Sequence, residues 1–204
     1  MKKIVIIDYD CGNILSIQRA IEKNGFKSEV SRDHAIISNA THIILPGVGA
    51  FGNAMKLLKK YELINSIKKH VNEKKPLLGI CLGMQLLLSE SSEFGNYKGL
   101  DIIKGKVKNI LDLTKKKIKV PHIGWNEIKF TRKNNYDFVD KKSFYFIHSF
   151  VSQTNKATST LAFTNYEGLK IPAIIQEENI TGFQFHPEKS HYSGLKLIKL
   201  FLNE

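Results

Sequence analysis

Leu77-Leu78-Gly79-Ile80-Cys81-Leu82-Gly83-Met84-Gln85-Leu86 is the stretch on which the fold turns. Leu77 to Cys81 is a short apolar run after Pro76, the pattern of a strand buried on both faces. Met84 to Ser89 then reads as a helix. Between them, Gly79-Ile80-Cys81-Leu82-Gly83 has the Gly-x-nucleophile-x-Gly form of a strand-to-helix elbow. Such a turn strains its central residue and presents that side chain at the C-terminal edge of a sheet. The flanking glycines let neighbouring chain pass without Cβ clashes. The helix N-terminus favours a thiolate at Cys81, and the Leu82 N–H points to where an oxyanion would form. A buried structural cysteine in a glycine-rich strand end is an equal reading of these five residues alone.

Upstream, the order repeats. Lys3 to Asp8 and His42 to Leu45 are buried strands rich in β-branched residues, and Ser28 to Val30 is a short third one. Asn13 to Asn24, Asn53 to Tyr61 and Leu63 to Val71 carry apolar residues at helical spacing. This βαβα alternation predicts an α/β fold: a doubly wound, mostly parallel central sheet flanked by helices. Downstream, Ile102 to Ile110, Trp125 to Phe130, Ser143 to Ser152, Thr158 to Thr164, Ile171 to Gln176 and Ile180 to Phe185 read as strands joined by Gly, Asn and Lys clusters. They predict an additional antiparallel region, before a closing helix over Ser190 to Asn203. No repeat, linker or low-complexity tract divides residues 1–204, so a single domain is expected.

Two further motifs carry chemistry. In Gln184-Phe185-His186-Pro187-Glu188, residues i and i+2 share a side, so His186 and Glu188 sit together at a strand end. A carboxylate beside an imidazole fixes its tautomer and stabilises the imidazolium, and a Cys nucleophile needs such a base. Pro46-Gly47-Val48-Gly49-Ala50-Phe51 is a glycine-rich turn between strand and helix. It lacks the third glycine of a dinucleotide fingerprint and any Walker lysine, so backbone oxyanion donation is its better reading. His122, His148 and His191 read as core or surface residues. No His/Cys/Asp grouping has metal-ligand spacing, so neither a metal nor another cofactor is expected.

The chain holds 31 Lys and Arg against 19 Asp and Glu, a net charge of +12. Only Arg19, Arg32 and Arg132 are arginines. Base and phosphate readers favour the guanidinium fork, so the lysine excess reads as a solvated surface, with no nucleic-acid partner expected. Cys11 and Cys81 make no disulfide framework. Neither an export signal nor a membrane-length apolar stretch is legible, so the expectation is a cytoplasmic protein with reduced thiols and no membrane partner.

Five segments then occur in order: Pro46 to Phe51, Gly79 to Leu86, Val120-Pro-His-Ile-Gly-Trp-Asn126, Tyr145-Phe-Ile-His-Ser149 and Phe183-Gln-Phe-His-Pro-Glu-Lys-Ser190. Together they resemble the class I (triad) glutamine amidotransferases, from about Ile4 to the C-terminus. The PGVGAF and PHIGWN segments are closer still to the glutaminase subunits of imidazole glycerol phosphate synthases. The resemblance implies Cys81 as nucleophile, His186 as base and then acid, and Glu188 as the orienting carboxylate. It implies oxyanion donors from Val48 or Gly49 and from Leu82. It places Gly49, Gln85, Glu93, Ser149 and Phe150 around a glutamine substrate, with Glu93 holding the α-ammonium. Asn13, His122, Trp125, Tyr145 and Lys189 match positions facing a (β/α)₈ cyclase partner, which would take the ammonia in histidine biosynthesis.

The chain departs from the pattern twice, with Asp10 where the family commonly has Gly and with His191 after Ser190. A paralogous subunit feeding ammonia to amidino-sugar synthesis is the alternative within the resemblance. Outside it stand a cysteine hydrolase or peptidase of the same fold and a degenerate binding module using its basic surface.

Overall fold

A computed structural model describes residues 2–204. Its centre is a nine-stranded sheet. β1 (Ile4–Ile7), β2 (Ser28–Ser31), β3 (His42–Leu45), β4 (Leu77–Ile80) and β13 (Ile180–Phe183) form a parallel block in the order β2-β1-β3-β4-β13. β13 then pairs antiparallel with β12 (Leu169–Glu177), followed by β11 (Thr160–Tyr166), β8 (His122–Phe130) and β9 (Ser143–His148). Most of the expected antiparallel region thus continues the parallel sheet, whereas the strand expected over Ile102 to Ile110 lies in a second sheet.

Why these short runs become central strands is visible in their alternation. Val5, Ile7, Ile43, Leu45 and Leu77 point into one apolar layer, and Ile4, Ile6, Ile44, Leu78 and Ile80 into another. Neither face of β1, β3 and β4 meets water, which is why these strands are almost wholly apolar, whereas the edge strand β2 carries Ser28, the exposed Glu29 and Ser31. The helices α1 (Ile14–Lys23) and α6 (His191–Phe201) cover one face with Ile17, Ile21, Ile198 and Phe201. The other face is covered by α2 (His34–Ser38), α3 (Phe51–Lys60), α4 (Leu63–Asn72) and α5 (Leu82–Leu86). None of these helices is long and apolar enough to cross a membrane.

Three local expectations are corrected. The sequence shows no helix before His42, yet Asp33 accepts hydrogen bonds from Ala35 N and Ile36 N at 2.8 and 3.0 Å and caps α2. The helix after Cys81 starts at Leu82 rather than Met84. The single strand expected over Ser143 to Ser152 is two. β9 stays in the large sheet, whereas β10 (Phe150–Thr154) crosses to a four-stranded sheet with β7 (Gly105–Asn109), β5 (Glu90–Ser91) and β6 (Tyr97–Lys98). Ser149 is the crossing point, and its carbonyl accepts from Ile110 N at 2.9 Å.

Candidate active site

Cys81 lies between β4 and α5 at φ 53° and ψ −109°. A non-glycine residue held in such a region costs about 1–3 kcal/mol and persists only where its surroundings over-determine it. They do so here. The Cys81 N–H donates to Phe183 O at 2.7 Å, extending the β4–β13 ladder through the strained residue. A Cβ on Gly79 would stand 2.7 Å from Gly83 O, and one on Gly83 would stand 1.9 Å from Leu45 O. The glycines are there because α5 begins pressed against the ends of β3 and β4.

β13, neighbour of β4, delivers the base. Three residues beyond its end at Phe183, His186 donates its backbone N–H to Tyr145 O at 2.9 Å. Its Nδ1–H donates to Glu188 Oε1 at 2.8 Å, with side chains 4% and 0% exposed. A carboxylate only accepts, so Nδ1 carries the proton and Nε2 is left for Cys81. Nε2 is buried and has no hydrogen-bond partner. Burial alone would lower the imidazole's pKa, but the Cys81 sulfur and the Glu188 carboxylate outweigh it and push it up to about 10. The imidazole beside the Cys81 sulfur is therefore protonated at neutral pH.

A cavity of about 460 Å³ opens over this pair. Val48, Gly49, Cys81, Leu82, Gln85, Glu93, Ser149, Phe150, His186 and Lys189 all line it. Glu188 does not; it stands behind His186. Gly49 adopts φ +93°, a conformation glycine reaches without strain. Glu93 Oε2 accepts from the Phe51 N–H at 2.6 Å, so this carboxylate also caps α3. Burial raises the Glu93 pKa and the Phe51 amide opposes the rise. A fixed acid on the wall suits a cationic group of a small substrate, and a cysteine sulfur at an elbow beside a base suits attack on an acyl carbon. Among the described residues no three His, Cys, Asp or Glu side chains are grouped to hold a metal.

The family model described as glutamine amidotransferase class-I matches residues 5–204. The chain belongs to the class-I glutamine amidotransferases. This amidotransferase is 43% identical to the imidazole glycerol phosphate synthase subunit HisH of Lactococcus lactis, covering all of both chains. It is 44% identical to subunit HisH 2 of Methanococcus maripaludis, covering 98% of this chain and 99% of that one. The HisH subunit of Aquifex aeolicus is 42% identical, covering 98% and 95%. Among solved structures, PurLQS from Thermotoga maritima superposes with a TM-score of 0.75 at 20% identity, covering 100% of this chain and 99% of that one. A chain titled glutamine amidotransferase gives 0.72 at 18%, covering 97% of each. At such identities these two speak for the fold alone.

Beside the amidotransferase cavity, the residues expected to face a partner divide. Trp125 is 46% exposed and lies opposite Tyr145 in the β8–β9 register, their rings 5.9 Å apart. The Lys189 ammonium stands 5.8 Å over the Tyr145 ring. Asn13 is half-buried just before α1. His122 differs: it is fully buried, because β8 alternation turns it inward between the rings of Phe146 and Tyr166. It presents no surface for direct contact. The two departures also resolve. His191 stacks on Trp125 at 4.8 Å and 11°, and Asp10 is tied to Arg32 at 2.6 Å and to the Tyr61 hydroxyl. Sequence reasoning missed Phe94, Asn109, Val120 and Ile147 as cavity walls. Val120 and Ile147 sit inside the quoted Val120–Asn126 and Tyr145–Ser149 segments, whereas Phe94 and Asn109 belong to no motif and only the fold brings them in.

Proposed function

We propose that this amidotransferase is the glutaminase subunit of an imidazole glycerol phosphate synthase in histidine biosynthesis. The observation that carries this is full-length identity of 42–44% to three relatives named as that subunit. Cys81 attacks the side-chain amide of glutamine, bound with its α-ammonium toward Glu93. The oxyanion is met by the Leu82 N–H and by an N–H of the Val48-Gly49 turn. His186 protonates the departing ammonia, leaving a glutamyl thioester, then takes a proton from the water that releases glutamate. Glu188 keeps Nδ1 protonated throughout.

Ammonia in water is mostly ammonium and then not nucleophilic, so a sealed transfer to a cyclase partner keeps it reactive. The exposed Trp125 and Lys189 and the half-buried Tyr145 beside the cavity are the docking residues of this reading. The pair works as a cytoplasmic heterodimer. The test is glutamate release by the full chain with the cyclase and its ribotide ligand, for wild type and Cys81→Ala. Wild type releases glutamate only weakly alone and C81A not at all. An active C81A sinks the nucleophile assignment. An aminated product other than imidazole glycerol phosphate sinks the pathway.

A further inference from the structure

Gln184 is a polar residue with no solvent exposure. It follows Ile180 and Gly182 on the side of β13 that faces α5, a row where a Cβ on Gly182 would touch Met84. A buried amide at such a position is costly unless its polar atoms are matched. Its partners are few and specific. Gln184 Oε1 accepts from Gln85 Nε2 at 3.2 Å, and Gln184 Nε2 lies 3.9 Å from Cys81 Sγ, within reach of an N–H···S hydrogen bond. The sulfur is the sole partner of that amino group.

The orientation of this amide is fixed from outside it. The Phe150 carbonyl meets Gln85 Nε2 at 2.9 Å and His148 Nδ1 at 2.9 Å. A carbonyl only accepts, so both atoms must carry protons. This settles which end of the Gln85 amide faces Phe150, and the second N–H on the same nitrogen reaches Gln184 Oε1. Turning Gln184 over would set its amino group against that of Gln85 and its oxygen against the sulfur. Both contacts are repulsive and neither is open to water. His148 is backed in turn by His122, whose Nδ1 stands 3.0 Å from His148 Nε2.

We propose that Gln184 is a further catalytic residue of this amidotransferase, its side-chain amide donating to the Cys81 thiolate, with Gln85 and His148 as positioning residues that keep it so turned. The thiolate then has two donors at right places for its two states. Before attack it faces the His186 imidazolium and accepts from Gln184, the Ile147 carbonyl that the neutral thiol meets at 3.9 Å offering it no donor. When the thioester forms, the sulfur loses its charge and the imidazolium its proton, and Gln184 alone awaits the thiolate that deacylation returns. The inference rests on Cys81 being the nucleophile of the glutaminase reading. The titratable groups around the sulfur are His186 with Glu188 behind it from the turn after β13, Tyr9 from the loop after β1, and His148 from β9 beside His186.

The experiment follows alkylation of Cys81 by iodoacetamide in the full chain, read at the Cys81 peptide by mass spectrometry so that Cys11 does not intrude. The variants are Gln184→Leu, which removes the donor, and Gln184→Glu, which keeps size but sets a second acceptor against the sulfur. At pH 7 the alkylation rate falls about tenfold in Q184L and further in Q184E, and is regained at higher pH. In the complex with the cyclase, kcat falls in the same order while KM for glutamine stays within about twofold. Wild-type alkylation rates in either folded variant overturn the proposal, whatever happens to glutamine turnover. If Q184L fails to fold, the near-isosteric Q184E decides. In the unmutated chain, the Gln184 side-chain amide resonances shift when Cys81 is alkylated; unmoved resonances overturn the proposal as well. Because alkylation needs no glutamine, failure of the glutaminase reading would show separately, as an active C81A.

Discussion

Replacing Gly83 by Ala tests the elbow most directly. The added methyl would lie 1.9 Å from the Leu45 carbonyl oxygen, 2.9 Å from its carbon and 3.2 Å from the Pro46 oxygen. All three atoms are backbone, so no side chain can swing aside. To reach an ordinary contact, α5 and the end of β3 must part by more than about 1 Å. Overpacking of a well-packed interior costs about 1–3 kcal/mol, and a clash with backbone on both sides sits at the upper end. For a chain of this size the urea midpoint then drops by about 1 M. The displacement passes directly into Pro46 to Gly49 and the Cys81 sulfur, and a misplacement of about 1 Å costs on the order of 10²-fold in turnover.

Urea unfolding followed by circular dichroism reads the first effect, and glutamate release in the presence of the cyclase reads the second. Gly25→Ala is the control. Gly25 has φ +82° but nothing within 4 Å of a Cβ, so only backbone strain of about 1 kcal/mol is expected, with activity intact. A G83A chain with wild-type midpoint and turnover would refute the claim that close backbone approach shapes the elbow.

Glu188→Gln keeps the size of the side chain but removes the charge that favours imidazolium; kcat falls about 10³-fold with KM little changed, measured by steady-state glutamate release. Glu93→Gln retains an oxygen for the Phe51 N–H yet loses the fixed charge, so KM for glutamine rises at least about tenfold while the urea midpoint holds within about 0.3 M. Tyr9→Phe strands the Pro46 carbonyl that the buried Tyr9 hydroxyl meets at 2.5 Å, and destabilises the chain by about 1–2 kcal/mol in the same unfolding assay. Burial lowers the pKa of His148 to about 3 and of His42 to about 4. The unfolded chain binds these protons near pH 6.5 while the folded chain refuses them. Stability therefore falls as pH drops below about 6.5, by about 1.4 kcal/mol per pH unit for each histidine, and His42→Asn flattens that slope.

The parallel block was legible because its strands are buried on both faces and so carry uninterrupted β-branched and leucine runs. The elbow was legible because close backbone approach demands glycine at both flanks of Cys81. The switch of sheets at Ser149 left no mark. Phe144, Phe146, His148 and Phe150 alternate inward across it, and only pairing of β10 with β7, distant in sequence, decides the break. α2 was missed because five residues are too few to show a period, and its cap at Asp33 resembles any loop aspartate. The residues alone leave His122 between core and surface, and the resemblance sets it on the partner face. Its burial depends on Tyr166 of β11 closing over it, a contact no local pattern encodes. Gln85 and Gln184 look alike as polar residues in apolar runs; their mutual hydrogen bond appears only when α5 lies against β13.

The crossing at Ser149 divides the labour of the fold. Nucleophile and base hang from strands of the large sheet, whereas Glu93 follows β5 and Phe150 opens β10, both in the small one. The hairpin of β5 and β6 carries Glu93 and Phe94 of the cavity wall, so insertions there can redraw its mouth while the cysteine's backbone stays anchored between β4 and β13. Part of the substrate pocket is thus carried on a different sheet from the reactive chemistry. That arrangement lets descendants of this scaffold change what they admit without relearning how to cut it.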